Sequence, residues 1–185
     1  MTMTSRTVRW VGYGLAAMWA TTFQAQAVDK VHLTNGKTLA VTSIQWRESE
    51  QAYRVESEGA VIPVPKGQVE SLEIDKPADF DKASQMLAAK QYAAAIPVLE
   101  EIVTKFRMLT WDNEARALLG QAHMAMNDPR KAADVLAGYV GSAKKSEIPA
   151  EVFMLYWKAL LGAGRAATLK KDLDEVVASG SRDMA

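Results

Sequence analysis

Between residues 31 and 74 apolar and polar side chains alternate in short runs, and beyond Pro77 apolar positions recur instead every three or four residues. The first period is that of a strand with one buried face, the second that of a helix. Six runs predict strands, at 31–33, 37–41, 43–47, 52–56, 60–64 and 70–74. Val31 and Leu33, Leu39 and Val41, Ile44 and Trp46, and Tyr53 and Val55 each place two apolar side chains on one strand face. Thr34-Asn35-Gly36 predicts a hairpin, because Asn and Gly both tolerate positive φ. Pro63 and Pro65 lack the amide proton of a central ladder, so their strand belongs at an edge. A short polar link, Lys66-Gly67-Gln68, precedes the last run. Strands this short in under fifty residues predict a small, strongly bent barrel.

From residue 78 onward the helical pattern repeats every 37 residues. Ala83, Gly120 and Trp157 correspond, as do Met86, His123 and Leu160. In the second half of each unit Ala95, Ala132 and Leu169 align, then Leu99, Leu136 and Leu173, then Ile102, Tyr139 and Val176. The links Lys90-Gln91-Tyr92, Asn127-Asp128-Pro129 and Gly164-Arg165-Ala166 fall in the same register. Each unit therefore predicts a helical hairpin in which a small residue lets two helices approach, although Trp157 breaks that rule in the third. Asp128 is placed to cap a helix that Pro129 opens, and Pro97 should disturb only the start of its own.

These patterns carry two resemblances. The order of strands and turns in 28–75 resembles an SH3-like or Sm-like barrel. The region 76–185 is similar to the tetratricopeptide repeat superfamily through Leu119-Gly120, Ala132, Leu136 and Tyr139, with His123 where that family usually has tyrosine, and through Ala83, Tyr92, Ala95 and Leu99. The period is longer than the family's usual one. The expected class is α+β, a small N-terminal barrel followed by an all-α solenoid of three repeats. The resemblance implies a concave groove for a protein or peptide partner, lined by Phe80, Ser84, Glu114, Ala117, Gln121, Glu151, Met154 and Lys158. It does not carry over the Lys and Asn clamp with which chaperone-binding members hold a C-terminal carboxylate, because Phe80 and Ser84 stand where that clamp begins.

The start of the chain changes the picture of where this fold works. Arg6 and Arg9 precede an uncharged stretch at 10–22 that leads to Ala25-Gln26-Ala27, the layout of a secretory signal peptide over 1–27. The expected location is periplasmic or secreted in a bacterium, with an uncleaved N-terminal anchor as the alternative. The whole chain of 185 residues carries 22 basic and 22 acidic residues, so cleavage leaves 20 basic and a slight negative charge. That balance gives no electrostatic reason to bind nucleic acid or an anionic membrane, and no membrane insertion is expected after cleavage. Without cysteine there is no disulfide, thiolate site or cysteine nucleophile.

No candidate catalytic residue, metal set or cofactor motif stands out. His32 and His123 lack partners in the sequence and read as an exposed and a core residue. Met86, Met124, Met126 and Met154 lie at helical spacing and read as core or groove lining. Lys105, Arg107, Lys144 and Lys145 read as solvated charges between units. The expected function is a non-enzymatic scaffold or adaptor of the bacterial envelope. The alternative is an enzyme or ligand-processing module with its site between the β and helical parts, where Asp75, Asp79 and Asp81 cluster. With no polar helix after Val177, the third repeat leaves an apolar face, expected either to continue into a longer array or to be an interface with a second copy or another partner.

Overall fold

A computed structural model describes residues 29–180, so the signal-peptide reading at 1–27 lies outside the described residues. Six strands come first: β1 (Asp29–Leu33), β2 (Thr38–Val41), β3 (Ser43–Arg47), β4 (Ala52–Ser57), β5 (Ala60–Pro65) and β6 (Val69–Glu73). Six helices follow: α1 (Ala78–Ala88), α2 (Tyr92–Lys105), α3 (Thr110–Ala125), α4 (Pro129–Ser142), α5 (Ala150–Gly162) and α6 (Ala166–Gly180).

The strands form two open antiparallel sheets, β2-β1-β6 and β3-β4-β5, and not the closed barrel expected from the sequence. The reason lies on β5. Pro63 pairs with Arg54 and Pro65 with Ala52. Because proline has no N–H to offer β4, both positions turn their backbone groups outward, and the outer edge of β5 lacks two of the donors that a closing strand would need. The chain passes from β2 to β3 across a single residue, Thr42, whose N–H donates to Glu56 O at 2.8 Å, and returns to the first sheet through Lys66–Gln68. The inner faces of both sheets then meet in one core containing Val31, Val41, Ile44, Tyr53, Val55 and Val64.

The turns obey local backbone chemistry. Gly36 takes φ +80°, and the Asn35 side chain accepts the Lys37 N–H at 3.0 Å. Only the glycine enters the left-handed region there, so the loop is a three-residue turn and not the two-residue form. Glu58 and Gly59, both at positive φ, make the tight two-residue turn between β4 and β5. His32, read as lacking an acid, meets one across the sheet: its ring lies 3.0 Å from Glu73 on β6 and 3.0 Å from Thr38.

The helices pair as three hairpins, and their second helices start at Tyr92, Pro129 and Ala166, one repeat apart. The links repeat the backbone geometry as well as the sequence. Lys90, Asn127 and Gly164 are left-handed, with φ of 59°, 59° and 74°. The N–H of the residue after each one reaches back five positions, Gln91 to Met86, Asp128 to His123 and Arg165 to Leu160, each at 2.8 Å. This is the left-handed helix stop that normally uses glycine, and only the third unit has it. Lys90→Gly and Asn127→Gly should therefore each raise the urea midpoint, by about 0.5–1 kcal/mol of stability. A fall in either midpoint would contradict the strain assigned to these links.

The small-residue rule holds in two hairpins and fails in the third. Ala83 and Leu99 are fully buried, as is Leu136 opposite Gly120. Trp157 takes the corresponding place on α5 and stacks against Phe153 at 5.7 Å. In this unit Leu173 remains 38% exposed where Leu99 and Leu136 are sealed. Asp128 caps α4 as expected, accepting the Lys131 N–H at 3.2 Å.

The two parts of the chain are joined at the link between α2 and α3. Leu109 is buried in the core of the sheets, with Phe106, Met108 and Trp111 packed around it. Tyr53 Oη donates to Met108 O at 3.0 Å, and Trp111 Nε1 donates to Ile74 O at 2.9 Å.

Candidate functional site

A groove of about 290 Å³ opens between α1, α3 and α5, with Tyr139 of α4 reaching into it. Its lining is Phe80, Ser84, Glu114, Ala117, Leu118, Tyr139, Pro149 and Val152. The helices position these side chains through their periods: Phe80 and Ser84 are one turn apart on α1, and Glu114, Ala117 and Leu118 share a face of α3. Ser84 Oγ returns its proton to Phe80 O at 2.9 Å, which leaves the α1 wall of the groove mainly apolar. Behind it, Phe80 packs obliquely against Trp111, with ring centres 5.4 Å apart.

The polar groups lie toward one end. Tyr139 is buried, and that burial, followed by the neighbouring Glu114 carboxylate, pushes its phenol above the ordinary range. It stays a neutral hydroxyl that can donate or accept at neutral pH. An apolar floor with one hydroxyl and one carboxylate suits an apolar side chain whose own backbone or neighbouring cation needs a partner.

Of the eight residues expected in the groove, Phe80, Ser84, Glu114 and Ala117 come together here. Gln121, Glu151, Met154 and Lys158 do not line this groove; they lie exposed farther along α3 and on α5. The sequence reading missed Leu118, Tyr139, Pro149 and Val152. Repeat register points only to the outward positions of first helices, whereas Tyr139 comes from a second helix and Pro149 from a link. The length of Tyr139 at a position held by Ile102 and Val176 was the available signal.

Of the acids at the junction, only Asp81 has a cation beside it among the described residues. Asp79 and Asp81 sit in the first turn of α1, where the helix dipole favours them, and Asp81 pairs with Lys76. Asp75 donates its backbone N–H to Asp29 Oδ1 at 2.9 Å. Among the described residues no group of three or more His, Cys, Asp or Glu side chains is arranged to hold a metal ion. No described helix is long and apolar enough to cross a membrane.

His123 is 4% exposed within α3, the core position expected for it. Burial lowers its pKa below the ordinary 6.5, ahead of an opposing attraction from Asp128, a repulsion from Lys131 that adds to the effect of burial, and last an attraction from Glu100. The unfolded chain then binds a proton at a pH where the fold does not. Stability should fall as pH drops below 6.5 and level off once the folded-state value is passed. His123→Gln should flatten this slope in urea midpoints taken between about pH 7.5 and 5.5. An unchanged slope would assign it to other groups.

A second, polar cleft lies between the turn joining β3 to β4 and the face of α3 and α4, and shares no residue with the groove.

No curated protein and no solved structure matches this chain. A family model described as tetratricopeptide repeat matches residues 86–150, from the last turns of α1 to the first residue of α5, so this helical region is similar to a repeat family of protein interaction modules.

Proposed function

We propose that this chain is an exported, non-enzymatic scaffold of the bacterial cell envelope that holds a protein partner in the groove between α1, α3 and α5. The observation that carries the reading is the groove itself, an apolar channel assembled from successive repeats in a region similar to tetratricopeptide repeats. Repeat stacking produces such a surface without any loop having to be built for it. An extended or helical segment with an apolar anchor fits the floor formed by Ala117, Leu118 and Val152, with Glu114 and Tyr139 at hand for its polar groups. Export rests on the basic, apolar and small-residue layout of 1–27.

A photoreactive side chain placed at position 117 in the full chain, expressed in a bacterial host, tests the groove directly. The expected result is a discrete envelope-protein adduct that is lost when the same probe sits at the exposed position 82. Equal labelling from both positions, or none from position 117, would reject the groove as the binding site. Recovery of envelope protein beginning at Val28 is the expected result for export, and a product beginning at Met1 would reject cleavage.

A further inference from the structure

The polar cleft between the β sheets and the helices has a volume of about 420 Å³. Its floor on α4 is Ala137, Gly138 and Gly141, so little side chain fills it. Cations line it: Lys66 from the link after β5, Arg107 from the link after α2, and Arg116 from α3. Arg116 is committed to the buried Asp112 at 2.6 Å, and Lys66 forms no ion pair among the described residues.

The arrangement around Glu48 gives the chemistry of the occupant. This carboxylate sits in the exposed turn after β3 and accepts Trp46 Nε1 at 3.0 Å, Gln51 Nε2 at 3.1 Å and Arg107 Nη2 at 2.9 Å. The indole and the amide, ahead of Arg107 and Lys66, hold its carboxyl below the usual range. Glu48 and Arg107 are 61% and 58% exposed, so their pairing contributes little to stability and the turn can release it at small cost. Without Glu48 the cleft would present three cations against one buried carboxylate.

We infer that this cleft is a binding site for a carboxylate, in which Glu48 acts as an intrachain occupant that an external carboxylate displaces from Trp46, Gln51 and Arg107. The ligand is an acidic group carried either by a small dicarboxylate or by an acidic peptide segment. Arg107 supplies the directional donor, and Lys66 adds a point charge to the lining of the cleft. The site is independent of the groove and stands or falls separately from it.

The test is titration of the full chain with glutarate and, in a separate arm, with a blocked tetraglutamate peptide, followed by NMR at the Trp46 indole N–H. Both arms include sodium chloride controls at matched ionic strength. An intrachain occupant that fills the donors about nine-tenths of the time weakens an external ligand about tenfold, so Glu48→Gln should tighten binding by about that factor. Arg107→Gln in the Glu48→Gln background should abolish it, while an unchanged circular dichroism spectrum shows that the fold is kept. Response to glutarate supports a site that reads the carboxylate alone, and response to the peptide only supports a segment of a protein as its carrier. If neither probe moves the Trp46 indole resonance in Glu48→Gln, or if binding survives Arg107→Gln, the assignment is overturned.

Discussion

Leu136→Ala lowers the unfolding free energy by about 2–5 kcal/mol, the cost of truncating a fully buried leucine in a site that cannot collapse. Leu136 is 0% exposed and lies where α3 and α4 cross. A methyl group added at Gly120 would sit 2.7, 2.8 and 2.9 Å from the Cγ, Cδ2 and Cδ1 atoms of that leucine. Gly120→Ala thus gains about 1 kcal/mol of helix propensity but incurs about 1–3 kcal/mol of overpacking, and the net change is destabilising. Combining the two substitutions puts the new methyl into the space the leucine vacates. The double variant should lose less than the sum of the single ones, with a coupling of about 0.5–3 kcal/mol in urea denaturation. Strict additivity would show that the two residues do not share this space.

Arg116→Met costs about 3–5 kcal/mol, because it leaves a carboxylate buried with no cation beside it. Asp112 is 2% exposed, and Arg116 Nε lies 2.6 Å from its Oδ1. Its other oxygen accepts the Met108 N–H at 2.9 Å, which fixes the left-handed turn at Met108 (φ 61°) that enters α3. Since Met108 O also receives Tyr53 Oη, this one carboxylate holds the joint between the helices and the sheets. Asp112→Asn added to Arg116→Met removes the stranded charge while keeping an acceptor for Met108, and should recover much of the loss. Gly138 is part of the same device, since a Cβ there would lie 2.3 Å from Arg116 Nη1. Thermal and urea midpoints of the single and the double variant decide the point; no recovery in the double variant would mean that the cost of Arg116→Met came from lost packing alone.

Legibility in the sequence followed the range of the interactions involved. The strand runs were readable because alternation is a property of neighbouring residues, and their observed bounds differ by a residue or two. The hairpins were readable because the repeat states the same local problem three times, with the links in one register; the left-handed residue in each link came from the structure. Closure of the sheets was not readable. Pro63 and Pro65 did announce an edge, but whether another strand would still seal the structure depended on residues far away in the chain. Half of the expected groove residues came together because their helical register is local; the others did not line it, and Tyr139 and Pro149 do, at positions that depend on how α4 and α5 pack.

The sequence by itself determined the change from strand to helix after Pro77, the 37-residue repeat, the small residues at positions 83 and 120, and the capping of α4 by Asp128. Each of these depends on backbone preference or on spacing along one element. Only the tertiary structure decided that the sheets stay open, that Leu173 on α6 stays half exposed, and that Asp112 is buried against Arg116. It also brought Glu48 and Arg107, 59 residues apart, into one cleft. The physical reason is that an unpaired sheet edge, a buried charge and a shared pocket acquire their energies from groups that meet only after the chain has folded.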